Sequence, residues 1–306
     1  MHGIIAAAAT PLDDHLAIDL DRLTDHCRFL LEKGGCDGIN LLGTTGEATS
    51  FSLEARLAAM RHLAESGLPL SRFMVGTGAA ALGDAVRLTR AANALGFGGA
   101  LLLPPFYYKG IETAALVAYV STVIDKAGRD GLSLYLYHFP SNSGVPYAPD
   151  AVARLRDAYP DTVVGVKDSA GDLAYSAELA RRLPGFSVFP SAEGSLGDAE
   201  RLGFAGCISA TANLTGPFAQ RALTGRTEAE RRAALAKAVE LRALLAGYPL
   251  VASVKAALAF VHGEPRWRAT MPPLSPLGDA DASALAGALA AAGLVPQSED
   301  VIPPST

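Results

Sequence analysis

The chain has 306 residues, a formal net charge of −5 and an apolar fraction of 50%. That is ample for one large core, and without any basic block a nucleic-acid surface is not expected. Cys27, Cys36 and Cys207 lack metal-ligand spacing and suit a reducing compartment, so a cytoplasmic location is expected. No apolar run approaches the roughly 18 residues that span a bilayer.

The opening MHGIIAAAATP has no basic leader and meets Pro11 at once, so it reads as a first strand rather than a signal peptide. Further short apolar runs begin near Gly38, Arg72, Gly98, Leu132, Val163, Phe186 and Gly206. Stretches of helical period lie between most of them. Asp19 to Lys33 places Leu20, Leu23, Cys27, Leu30 and Leu31 on one stripe. Ser52 to Ser66 does the same with Leu53, Leu57 and Met60, and Ser52 is a ready cap. Gly83 to Leu95 and Ile111 to Ala127 repeat the habit. Apolar runs alternating with helices predict parallel β/α units, and their number closes a (β/α)8 TIM barrel over residues 1–225. A doubly wound sheet would carry a glycine-rich phosphate turn after its first strand; Ala9-Thr10-Pro11-Leu12 offers none.

After Gly225 the pattern is helical only, predicting a C-terminal helical extension over 226–295. Thr227 and Glu230 form a capping-box pattern for a helix ending near Ala246. Leu250 to His262 reads as a second helix, and Asp281 is a candidate cap for a third ending at Gly293. Residues 296–306 are polar and Pro-rich and are expected to fray.

Reacting groups of such a barrel sit at the C-terminal ends of its strands. The sixth run, Val163-Val164-Gly165-Val166, delivers Lys167 into a polar turn. A lysine ending a buried strand has its stem in apolar surroundings, which disfavours the ammonium form and favours nucleophilic attack on carbonyls. A surface lysine opening a capping turn would show the same letters. Tyr137 ends the preceding strand, so a phenol should neighbour the amine and could relay protons. The turn Gly43-Thr44-Thr45-Gly46-Glu47 offers two hydroxyls and free backbone N–H groups, a combination suited to a carboxylate. Zinc motifs, a nucleophile elbow and a Walker loop are all missing from the sequence.

Gly-Thr-Thr-Gly-Glu at 43–47, Pro-Pro-aromatic-Tyr at 104–107, Leu-Tyr-x-x-Pro-Ser at 136–141 and Gly-x-Lys-Asp-Ser at 165–169 form a set. As a set they resemble the dihydrodipicolinate synthase / N-acetylneuraminate lyase family of class I pyruvate aldolases, over the whole chain. The resemblance implies a Schiff base between Lys167 and a small 2-oxo acid, serving a class I aldolase or a dehydratase, with no metal and no organic cofactor. It implies Thr44 and Thr45, with Gly43, as carboxylate binders, and Tyr137 and Thr44 as proton relays. Tyr107, or Tyr108 one register position on, is implied as a phenol lent across a tight dimer interface, and the backbone of Ile208 as a wall facing the carboxylate. A homo-oligomer, dimeric or a dimer of dimers, is the implied assembly.

One departure is informative. Where the synthases carry an arginine for the acceptor carboxylate, this chain has Asn142. An amide cannot replace a bidentate guanidinium pair, a loss of about 2–3 kcal/mol. Asn142, Ser191 and Glu193 are therefore expected to line the acceptor side for a 2-keto-3-deoxy sugar acid or a related 2-oxo acid. Condensation of pyruvate with aspartate semialdehyde, the dihydrodipicolinate synthase reaction, is the alternative.

Overall fold

The computed structural model describes residues 1–296. Apart from Pro296, the stretch expected to fray lies outside the described residues. Eight parallel strands form one sheet: β1 (Gly3–Ala7), β2 (Gly38–Leu41), β3 (Phe73–Gly76), β4 (Gly99–Leu102), β5 (Leu134–His138), β6 (Val163–Asp168), β7 (Ser187–Pro190) and β8 (Gly206–Ser209). The order runs from β7 down to β1 and on to β8. The β7–β8 seam is bridged by the Ala205 N–H donating to the Val188 carbonyl at 2.9 Å, so the sheet is a nearly closed barrel. Around it lie α1 (Leu20–Glu32), α2 (Leu53–Glu65), α3 (Leu82–Ala94), α4 (Thr113–Ala127), the single turn α5 (Pro140–Ser143), α6 (Pro149–Ala158), α7 (Leu173–Arg182), the single turn α8 (Ala199–Leu202) and α9 (Ala212–Thr224).

Side chains cap the first two helices. Asp19 accepts the Arg22 N–H at 3.0 Å and Ser52 accepts the Ala55 N–H at 3.2 Å, each satisfying an orphan donor. Leu23, Cys27 and Leu30 then form the buried stripe of α1. Strand residues alternate between two cores. Ile4, Ile39, Leu41, Phe73, Val75 and Leu136 face the helices, whereas Ile5, Ala7, Met74, Leu101, Tyr135, Tyr137, Phe189 and Ile208 fill the barrel. Burial on both faces is why the strands read as continuous apolar runs.

Inside the barrel, large and small residues are matched. The Tyr135 ring lies across Gly99 and Gly165, where a Cβ would stand 2.7 Å and 2.6 Å from it. With Gly165 facing inward, strand parity turns Val166 to the helices and Lys167 back to the interior.

The extension comprises α10 (Glu228–Ala246), α11 (Leu250–His262) and α12 (Asp279–Ala291). Thr227 caps α10 by accepting the Glu230 N–H at 3.1 Å, but Glu230 reaches back to the Arg226 N–H, at 2.9 Å, one residue before the expected Thr227. Gly278, not Asp281, is the N-cap of α12; Asp281 lies in the first turn, where an acid favours the helix dipole. Leu241, Leu245, Val254, Leu258, Trp267 and Leu285 form a second core that closes on Ala9, Ala210 and Leu214 of the barrel.

Candidate active site at the C-terminal mouth of the barrel

Tyr137 and Lys167 are register partners on β5 and β6, and both point into the barrel. Each is buried, at 4% exposure. Lys167 Nζ stands 4.4 Å from the Tyr137 ring centroid, over its face. The Tyr137 hydroxyl lies 3.2 Å from Thr44 Oγ1. The expected amine and phenol are thus brought together, and Thr44 reaches the phenol from the opposite part of the mouth.

The turn after β2 is tightly built. Leu42 and Glu47 adopt left-handed conformations, at φ +51° and +55°. Gly43 leaves no space for a side chain, since a Cβ there would lie 2.6 Å from Asn40 Nδ2. The Thr10 hydroxyl donates to the Gly46 carbonyl at 2.8 Å, and the Glu47 N–H donates to the Thr44 carbonyl at 3.0 Å. Thr45 is buried and Thr44 is half-buried. A narrow crevice runs from Tyr137 and Thr44 to Arg56, past Gly76 and Gly78. Arg56 donates to the carbonyls of those two glycines at 2.8 and 3.0 Å, and burial pushes its guanidinium down to about 10.

His138 and Asp168, the next residues on the two strands, are also register partners. His138 Nδ1 accepts the Tyr147 N–H at 3.0 Å, which leaves the ring proton on Nε2, and the ring stacks on Tyr175 at 4.2 Å. Burial lowers the His138 pKa, against the pull of Asp168. Burial raises that of Asp168, against hydrogen bonds from the Ala170 N–H at 2.9 Å and the Ser176 hydroxyl at 2.8 Å. These bonds fix the strand ends from behind the Tyr137–Lys167 pair.

The remaining expected site residues are dispersed. Ile208 is fully buried and fills the barrel interior opposite Ile5. Ser191 is half-buried after β7, and Asn142 is exposed on α5. Tyr107 is 74% exposed and packs edge-to-face on Tyr108 rather than entering this site. Glu193 departs from its expected use. It is wholly buried, with one oxygen accepting the hydroxyls of Ser209, Thr211 and Thr215 at 2.8, 2.6 and 2.7 Å. The other oxygen faces Arg242 of α10 at 3.2 Å. A carboxylate so held, by three hydroxyls on one oxygen and Arg242 on the other, braces β8.

Besides Arg56, two residues with a bearing on the site do not figure among the sequence candidates. Arg242 is one. The other is Lys255, fully buried on α11 and paired with Glu47. Its signal was a lone charge inside the apolar run Leu250 to Val261.

The fold closely matches dihydrodipicolinate synthase from Agrobacterium tumefaciens, with a TM-score of 0.87, 29% identity and coverage of 95% of this chain and 99% of that one. Proteus mirabilis N-acetylneuraminate lyase shares the fold at 20% identity and a TM-score of 0.85. The chain is 32% identical over 288 residues to an uncharacterized DapA-like lyase of Chloroflexus aurantiacus, covering 94% of this chain and 95% of the relative. It is 30% identical over 302 residues to 4-hydroxy-tetrahydrodipicolinate synthase of Parasynechococcus marenigrum, covering 94% of each. The chain is an enzyme, a lyase of the lysine Schiff-base class. It belongs to the dihydrodipicolinate synthetase family, whose model matches residues 1–292.

Proposed function

We propose that Lys167 is the Schiff-base lysine and that the substrate is a 2-keto-3-deoxy sugar acid or a related 2-oxo acid, with pyruvate as its common three-carbon part. The carrying observation is the Tyr137–Lys167 pair, an amine held 4.4 Å over a phenol ring whose hydroxyl contacts Thr44. The free amine adds to the C2 ketone, giving a carbinolamine. Loss of water, with a proton delivered through Tyr137 and Thr44, leaves an iminium. In cleavage the C4 hydroxyl gives up its proton, the C4 fragment leaves as an aldehyde and the C3–C4 electrons flow into the iminium to form an enamine; in condensation the enamine forms by loss of a C3 proton instead. Protonation at C3, or addition of an aldehyde there, restores the iminium, and water then releases the product and the amine.

The N–H groups and hydroxyls of Gly43, Thr44 and Thr45 would receive the carboxylate, with the Ile208 backbone opposite. Tyr107, exposed in a single copy of the chain, would complete the relay in a partner's site, so a dimer-based homo-oligomer forms part of this reading. Asn142 and Ser191 would face the acceptor half. With no guanidinium at 142, a hydroxylated acceptor is favoured over a carboxylated one.

The test is borohydride reduction in the presence of pyruvate, read by intact mass and peptide mapping. A reduced adduct on Lys167 is expected; folded protein without one overturns the assignment. A second reading, 4-hydroxy-tetrahydrodipicolinate synthesis, is favoured by one observation. Lys109 Nζ donates to the Ser143 carbonyl at 2.8 Å, which puts a cation beside the Asn142 turn. Turnover of pyruvate with aspartate semialdehyde, and its loss in Lys109→Met, would establish that reading instead.

A further inference from the structure

Glu47 is the one acid in the Gly43–Glu47 turn, and the reaction scheme gives it no task. It holds φ +55° and ψ +28°, a left-handed conformation that a residue other than glycine keeps only where its surroundings enforce it. The enforcement comes from the C-terminal extension. Glu47 pairs with Lys255 of α11, 208 positions away in sequence, and both side chains are at 0% exposure. The second Glu47 oxygen accepts the Met271 N–H at 2.6 Å, and Lys255 donates onward to the Ala269 carbonyl at 2.6 Å. Burial pushes the Lys255 ammonium down, while the Glu47 carboxylate pulls it back up.

The clamp reaches the site by a short route. The Glu47 N–H donates to the Thr44 carbonyl at 3.0 Å, and the Ala48 N–H to the Gly43 carbonyl at 3.2 Å. Thr44 Oγ1 in turn is 3.2 Å from the Tyr137 hydroxyl. A shift of Glu47 therefore shifts Thr44. Charge acts in the same place: a buried carboxylate without its cation would repel an anion arriving at the same turn.

We propose that Lys255 is a positioning residue for 2-oxo acid capture. Through Glu47 it holds the Gly43–Glu47 turn in its binding shape and cancels the acid's charge beside the incoming carboxylate. The extension thereby sets the affinity of a site to which it contributes no contact with the reacting atoms. This inference rests on the proposed Lys167 chemistry.

The experiment measures the reduced adduct, by intact mass, against pyruvate concentration. In Lys255→Met the half-saturating pyruvate concentration should rise about tenfold or more, while the adduct at saturation stays within about threefold of wild type. A merely structural lysine would lower the melting temperature and leave half-saturation unmoved. Adding Glu47→Gln to Lys255→Met removes the stranded charge and should bring half-saturation back to within about threefold. If Lys255→Met does not fold, Glu47→Asp carries the same test. It draws the carboxylate one methylene away from Lys255 and should raise half-saturation about tenfold. An unchanged half-saturation in folded Lys255→Met, or in Glu47→Asp, overturns the inference and leaves the proposed function standing. A wild-type enzyme that forms no adduct overturns the function, and this inference with it.

Discussion

Lys167 Nζ stands over the face of the Tyr137 ring, 4.4 Å from its centroid, while the hydroxyl of that ring is turned to Thr44 at 3.2 Å. One side chain thus has two separable duties. Its ring face supports the amine, and its oxygen joins the hydroxyl on the other side of the mouth. Tyr137→Phe should keep the first duty and lose the second. Stability should change by less than about 1 kcal/mol, since one hydrogen bond is lost and the ring remains. Turnover should fall by about 10² to 10⁴, the usual contribution of a positioned proton donor, while borohydride still traps the amine. Undiminished turnover would remove Tyr137 from the relay.

Gly165→Ala tests how the amine is presented. The new Cβ would lie 2.5 Å from the Ser187 carbonyl oxygen and 2.6 Å from the Tyr135 ring. Neither backbone nor ring can move without disturbing β6, so a loss of about 1–3 kcal/mol is expected in urea unfolding. Trapping at Lys167 should weaken too, because the lysine is two residues on and on the same face. A variant as stable as wild type would show that the barrel interior is looser than this packing implies.

Glu193→Gln separates a brace from a substrate contact. Both carboxylate oxygens are engaged by Ser209, Thr211, Thr215 and Arg242. An amide would turn an N–H toward one of these donors and uncouple Arg242, costing about 2 kcal/mol. Half-saturating pyruvate should change by less than about twofold. A large change in half-saturation at unaltered stability would return Glu193 to the pocket wall.

His26 makes the fold sensitive to acid. Its Nε2 lies 2.9 Å from Asn213 Oδ1, an oxygen that also accepts the Ala9 N–H at 3.2 Å. Asn213 Nδ2 donates to the carbonyls of Ala7 and Ala210 at 2.8 and 2.6 Å. His26 must then donate from Nε2, and among the described residues its buried Nδ1 has no hydrogen-bond partner. Burial, with His262 adding to it, pushes the pKa from 6.5 down to about 3, against the hydrogen bond to Asn213. The unfolded chain takes up this proton as pH falls through about 6.5; the folded chain refuses it until about 3. Stability is fully present above that window and is lost as pH falls through it, at up to about 1.4 kcal/mol per pH unit. Burial lowers His262 as well, with the same sign. Urea unfolding at pH 7 and pH 5 should show the loss, and His26→Gln should reduce it; equal slopes for the two proteins would contradict the assignment.

Asn142→Arg asks what the acceptor wall discriminates. A guanidinium at this exposed position on α5 should strengthen use of a carboxylated aldehyde acceptor by tens of fold, the equivalent of about 2–3 kcal/mol. Condensation assays with carboxylated and hydroxylated aldehydes measure the shift. No change in preference would mean that residue 142 does not face the acceptor.

The barrel and the Tyr137–Lys167 pair were legible in the sequence for one physical reason. Parallel strands buried on both faces leave apolar runs, and consecutive runs become neighbours with matched parity. Inward residues near the ends of β5 and β6 therefore meet. What escaped the sequence depends on partners delivered from far away. Glu193 is enclosed by Arg242, 49 residues on, and Glu47 by Lys255, 208 residues on. Local pattern carries no sign of such pairings, so the sequence presents the first acid as pocket lining and the second as part of an anion-binding turn. The cap of α12 was displaced from Asp281 to Gly278 because several residues near a helix start can serve, and packing selects among them.

The Tyr135 ring, laid across Gly99 and Gly165, is the floor under Lys167. A molecule captured by that amine, as proposed, would have no room to burrow deeper along the barrel axis. Its first carbons are confined, and every further carbon must climb outward among the loops after the strands. On the proposed function, selection by chain length would therefore fall to rim segments, which can be exchanged while the lysine and its strand stay as they are.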